Sequence, residues 1–132
     1  MNNELFWLTL TLAMAALAPF PYVLNRMARR GLLGTMANPR SDDPPLADWA
    51  QRAQRAHANA AENLVVFAPA AIAVHVLAKG NDLSVFACQL YFFSRLIHYV
   101  VFAAGVPVLR TLAYFGGWAG CALLIAQLLG LA

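Results

Sequence analysis

Charge is what this chain most lacks. Asp, Glu, Lys and Arg together make up 11% of its 132 residues, against roughly 25% in soluble domains, so it cannot cover a water-facing globule with ionic surface. Among its basic residues Lys79 is the only lysine. Cysteine is confined to Cys88 and Cys121, with no C-x-x-C pair and no adjacent base; this excludes a dithiol motif and leaves both as small apolar packing residues. His57, His75 and His98 are scattered without carboxylates at metal-ligand spacing, so no zinc or iron site is expected. His75, in a run of Ala, Val and Ile, reads as a hydrogen-bonded core residue. No basic run is interleaved with aromatics, which argues against a nucleic-acid partner, and neither an internal repeat nor a low-complexity tract is present.

What is abundant is apolar: hydrophobic residues reach 61% and the mean hydropathy is +0.61. These values define an integral membrane protein. Four segments, Leu5–Leu24, about Ala50 to Ala78, Leu83–Ala104 and Leu109 to the C-terminus, each reach the ~20 residues a helical span needs. The expected fold is therefore all-α: an up-down-up-down four-helix membrane bundle, one domain over 1–132, with helices at about 4–25, 50–79, 83–104 and 109–131. The Pro- and Asp-rich stretch Asn38-Pro39-Arg40-Ser41-Asp42-Asp43-Pro44-Pro45 marks the one long connection, a loop over about 26–49. Ala16-Leu17-Ala18 mimics a signal cleavage site, but Glu4 replaces the usual basic start and Pro19 follows directly, so the first segment is read as a span. Arg26, Arg29, Arg30, Arg40, Arg52, Arg55 and Arg110 fall at one end and only Lys79 at the other. The positive-inside rule then expects the arginine end in the cytoplasm and both termini outside.

Ionic residues are few but patterned. On a helix Arg52, Arg55, Asn59, Glu62 and Asn63 share about 100° of arc while His57 points away, and this stripe runs without a break into Leu64–Ala78. Ionisable groups at membrane depth cost roughly 2.5–3.5 kcal/mol each and persist only against protein, water or a polar ligand. One reading is a helix-end ion pair of Arg52 or Arg55 with Glu62 that snorkels to the interface; the other is a held polar ligand. On the next helix Tyr91, Arg95, His98 and Phe102 sit at i, i+4, i+7 and i+11, within about 60°. An arginine in mid-span keeps its proton, so Arg95 needs an anion or a wet cleft. Arg110, Thr111 and Tyr114 open the last helix after Gly105-Val106-Pro107; Arg110 is either an interface anchor or a third site cation. The two ionic faces are expected to be buried together, with Glu62 in reach of an Arg of the same or a neighbouring subunit.

Arg55-Ala56-His57-Ala58-Asn59-Ala60-Ala61-Glu62, then Arg95-Leu96-Ile97-His98, then Pro107-Val108-Leu109-Arg110-Thr111-Leu112-Ala113-Tyr114 resemble the motifs of the MAPEG family (membrane-associated proteins in eicosanoid and glutathione metabolism), in the bacterial-type form of an inner-membrane protein. Asn38-Pro39 after the arginine cluster resembles the loop between that family's first two helices. The resemblance implies a homotrimer in lipid with three glutathione sites between subunits at the cytoplasmic end. Carried over by motif, it makes Arg30, Arg55, Asn59, Glu62, Arg95 and His98 glutathione contacts and Arg110, Thr111 and Tyr114 the catalytic group. Arginines would bind the two carboxylates of glutathione and Glu62 its ammonium, while Arg110 lowers the thiol pKa to make a nucleophile. A lipophilic co-substrate would arrive sideways from the bilayer.

Two positions depart from the family pattern. Ala58 stands where eicosanoid and transferase members usually have Arg, and Phe102 where they often have Tyr. Three functions are therefore compared: a glutathione-dependent transferase or peroxidase, favoured by Arg110 with Tyr114; a non-catalytic lipid- or anion-binding scaffold, favoured by Ala58 and Phe102; and a transporter or channel, disfavoured by the lack of inverted repeats.

Overall fold

The computed structural model describes residues 3–132 and is helical throughout, with α1 Glu4–Leu17, α2 Pro19–Met36, α3 Asp48–Val76, α4 Asp82–Ala104 and α5 Pro107–Leu129. Helices α1 and α2 follow each other with only Ala18 between them, and four segments, Glu4–Met36, Asp48–Val76, Asp82–Ala104 and Pro107–Leu129, are each long enough and hold an apolar stretch sufficient to cross a membrane. Short links make successive spans antiparallel, since only residues 77–81 and 105–106 separate α3, α4 and α5. The protein is a four-span, all-helical membrane bundle.

The helix boundaries follow local chemistry. Pro19 and Pro107 open α2 and α5, where a missing N–H costs nothing. Asn81 caps α4 in a reciprocal box with Ser84, satisfying two otherwise free donors. Gly105, at φ 82, closes α4 in the left-handed conformation and turns the chain into α5.

Residues 26–36, expected in the loop, are helical up to Met36, with a break at Gly31 (φ 72, ψ 170). Arg26, Met27, Ala28, Arg29 and Arg30 are good helix formers, and a helix leaving the bilayer for water loses its apolar signal without losing its backbone bonds. The shortened loop 37–47 is folded back on α2: Asn25 Oδ1 accepts from the Ala47 N–H (2.9 Å), and Arg30 donates to the Pro44 carbonyl (2.9 Å) and to Asp43 (3.2 Å).

The apolar core lies between α1, α3, α4 and α5, around Leu8, Phe67, Val74, Cys88, Tyr91 and Leu124, with the Phe67 and Tyr91 rings stacked at 3.7 Å. Both cysteines are buried and free, as their isolation in the sequence suggested. The closest helix pair is α4 with α5, and glycine makes it so. A Cβ on Gly120 would stand 2.7 Å from the Ala87 carbonyl and 3.1 Å from Tyr91 Cβ. Large residues such as Val65, Phe86, Val100, Leu112, Phe115 and Trp118 face outward, the arrangement a bilayer solvent favours.

His75 departs from its core assignment. It is exposed at the end of α3, where its Nδ1 lies 3.9 Å from Glu4 Oε2. Glu4 itself is buried, hydrogen-bonded to the Ser84 hydroxyl and packed on Gly80, and this clamps the start of α1 to the α3–α4 turn.

Gly120→Ala should cost about 1–3 kcal/mol as an overpacked contact against backbone. The expected result is a lower midpoint of thermal unfolding in detergent; an unchanged midpoint would contradict the close α4–α5 approach.

Candidate functional site

Helix α4 turns Tyr91, Arg95 and His98 inward on one stripe, and all three are buried. Arg95 is 1% exposed. Its Nη1 donates to Asn59 Oδ1 on α3 at 3.0 Å, and its Cζ lies 5.5 Å from the Tyr91 ring centre and 5.2 Å from that of Tyr114. Gly117 of α5 makes the seat: a Cβ there would be 2.8 Å from Arg95 Nε and 3.2 Å from Cζ. Two rings and an amide thus surround a cation that cannot lose its proton.

That environment does not balance the charge. Among the described residues no carboxylate comes within 4.0 Å of the guanidinium, and Nε and Nη2 are buried without any hydrogen-bond partner. Each orphaned donor costs about 1–3 kcal/mol, while a cation–π contact returns about 0.5–2 kcal/mol. An acceptor carrying negative charge is the group that satisfies both deficits.

One turn further along α4, the α4–α5 elbow encloses a cleft of about 300 Å³ lined by His98, Phe102, Arg110, Thr111, Tyr114 and Phe115. The Gly105 turn brings the first turn of α5 back over the last turn of α4, so the Arg110 Cζ rests 4.6 Å from the Phe102 ring centre. His98 is 3% exposed and its Nδ1 has no partner; the ring stands 5.5 Å from Phe102 and 6.3 Å from Tyr114. The Thr111 hydroxyl donates to the Pro107 carbonyl at 3.2 Å. Asn59, Arg95, His98, Arg110, Thr111 and Tyr114 are therefore gathered around one stretch of α4 and the start of α5.

The remaining candidates are not gathered with them in the single chain. Arg30 is committed to Asp43 and Pro44. Arg55 and Glu62 are exposed on α3, and among the described residues Glu62 pairs with neither Arg52 nor Arg55, so the helix-end ion pair is not formed. Arg52 instead donates to the Ala103 carbonyl at 2.9 Å, where a cation suits a helix C-terminus. The expectation that Glu62 meets an Arg is unmet within one chain because α3 turns Asn59 toward α4 and Glu62 outward.

Sequence reasoning missed Gly117 as part of the site. A Gly116-Gly117 pair is compatible with close helix approach, but nothing in such a pair distinguishes a seat for a guanidinium from plain packing. It also gave no hint of a second, apolar cleft of about 430 Å³ between α1 and α4, lined by Leu10, Met14, Leu17, Phe92, Leu96 and Tyr99, with Arg95 on its wall. The described residues contain no cluster of three or more His, Cys, Asp or Glu suited to a metal.

Fold and site together define a multi-pass membrane protein with a partly buried cationic cleft at one end of a four-helix bundle. The MAPEG family model matches residues 5–130, nearly the whole chain, and the protein belongs to the MAPEG family. That family includes glutathione-dependent transferases and peroxidases as well as non-catalytic members. No curated protein and no solved structure matches the chain.

Asn59→Ala should destabilise the protein by about 1–3 kcal/mol, because it orphans a third Arg95 donor. Asn59→Asp, which supplies a carboxylate instead, should be the more stable of the two. Thermal unfolding of both in detergent decides; equal losses would mean that Asn59 does not hold Arg95.

Proposed function

We propose that this protein binds glutathione at the α4–α5 cleft and presents it as a thiolate to lipophilic electrophiles, as a membrane-bound transferase or peroxidase. The observation that carries this reading is Arg95: a buried cation whose Nε and Nη2 lack acceptors, one turn from a cleft that adds Arg110 and His98, in a MAPEG chain. Glutathione brings two carboxylates, an ammonium and a thiol, and the donors present match the anionic part. Arg110, Thr111 and Tyr114 form the end of the cleft suited to the sulfur. A free thiol titrates near ~8.5, and each unit of depression takes about 1.4 kcal/mol of preferential thiolate stabilisation. A guanidinium in a water-poor cleft supplies that order of energy.

The exposure of Arg55 and Glu62, and the engagement of Arg30 with Asp43 and Pro44 outside the cleft lining, support a site completed by neighbouring copies in a homotrimer. Glu62 would then hold the ligand ammonium. The arginine-rich end lies in the cytoplasm by the positive-inside bias, and the apolar co-substrate enters from lipid.

A scaffold that binds an anion or lipid without chemistry is the second reading. Ala58 is exposed and carries no donor, and Phe102 offers Arg110 a ring face where a tyrosine would add a hydroxyl.

Calorimetric titration of glutathione into the detergent-solubilised protein tests binding. Glu62→Gln should weaken it by about 1–3 kcal/mol, the scale of a hydrogen bond to a charged group; unchanged affinity would remove Glu62 from the site. Ultraviolet thiolate absorbance near neutral pH tests chemistry: Arg110→Ala should abolish it while much of the binding survives. Binding with no thiolate in the unmutated protein would select the scaffold.

A further inference from the structure

Ionising a thiol in a buried cleft requires somewhere for the proton to go. Of the cleft-lining groups, Arg110 is already protonated and cannot act as a base, Thr111 donates to the Pro107 carbonyl, and a neutral tyrosine such as Tyr114 offers a proton and takes none at neutral pH. No Asp or Glu lines the cleft. His98 remains, with an imidazole at 3% exposure and an Nδ1 that has neither donor nor acceptor among the described residues. Neither ring nitrogen is engaged in a hydrogen bond among the described residues, so the neutral imidazole keeps one basic nitrogen free to take a proton.

Resting on the thiol-binding reading above, we propose that His98 is the general base of this cleft, taking the thiol proton on its imidazole so that thiolate forms by transfer within the protein. The S–H bond breaks, its electron pair stays on sulfur, and the proton forms an N–H bond on the imidazole. The net charge of the cleft does not change, because a neutral thiol and a neutral ring become a thiolate and an imidazolium. The charged groups facing the ring are Arg95 from α4 and Arg110 from α5, with Tyr114 at 6.3 Å. Two fixed cations oppose a third positive charge unless an anion arises beside it, so proton uptake by His98 and thiolate formation are tied to the same event. Arg110 stabilises the product charge and His98 removes the obstacle to forming it.

The proton count separates this route from ionisation into solvent. Glutathione is added to the full-length protein in weak buffer near pH 7; thiolate is read by ultraviolet absorbance and released protons by an indicator dye. S-methylglutathione, which has no thiol proton, supplies the blank. Transfer to His98 predicts thiolate with almost no proton released, and His98→Gln should lower thiolate at pH 7 about tenfold, one unit of pKa, with one proton released for each thiolate formed at higher pH. One proton per thiolate in the unmutated protein overturns the role of His98 and leaves the thiol site standing. Undiminished thiolate in His98→Gln does the same. If the unmutated protein binds no glutathione, or binds it without thiolate, the thiol reading itself fails and this role falls with it. The proton count on the unmutated protein decides even where the variant does not fold.

Discussion

The guanidinium of Arg95 is the constraint around which the bundle is arranged. A fixed charge inside four membrane helices is tolerated only if other side chains shape a place for it, and each neighbouring helix contributes. Helix α3 supplies the Asn59 amide, α4 the Tyr91 ring below, and α5 the Tyr114 ring and the bare backbone of Gly117. The close α4–α5 packing at Gly117 and Gly120 is the same feature seen from the outside. Because α5 lies so near α4, the elbow at Gly105 brings the first turn of one helix over the last turn of the other, and the cleft lined by His98, Arg110 and Tyr114 follows from that geometry.

The two ends of the bundle are held by different means. At the arginine end, Arg52 caps the carbonyl of Ala103, the Tyr99 hydroxyl donates to the Ala18 carbonyl at the α1–α2 junction (2.8 Å), and the Tyr22 hydroxyl shares a 2.8 Å hydrogen bond with His57 Nδ1. Each is a single polar tie that spends its donor within the chain. The opposite end closes through Glu4, Ser84 and Gly80, with Lys79 donating to the Leu128 carbonyl and Gln127 to that of Lys79. Arg26 Nε at the first end and Gln127 Oε1 at the second lack partners, and Arg95 leaves two buried nitrogens and His98 one in the same state beside the cleft.

The legibility of the chain varied with how local the governing physics was. Spans were readable because a backbone in lipid must satisfy itself, so apolar length translates directly into helix. The stretch from Arg26 to Met36 was not, since a helix in water has no hydropathy signature and its end depends on Gly31 and on the loop folding back through Arg30 and Asn25. Nor was His75: its apolar neighbours suggested burial, whereas its place at the end of α3 beside Glu4 is set by where the turn falls. Arg52 and Arg55 share a stripe with Asn59, yet Arg52 caps α4, Arg55 is exposed and Asn59 reaches Arg95, because a helix face is wide enough to address two neighbours at once.

The sequence by itself determined the solvent, the number of spans and the residues with chemistry to offer, since scarcity of charge, apolar length and 3.6-residue periodicity are all properties of contiguous chain. Only the tertiary structure decided which of those residues meet. That choice rests on interhelical distances set by glycines at positions 117 and 120 and on the left-handed turn at Gly105. It brought Asn59 to Arg95, and His98 and Arg110 to one cleft, while it sent Glu62 outward and Arg30 to the loop, because a side chain's neighbours across a helix interface are determined by packing and not by spacing along its own helix.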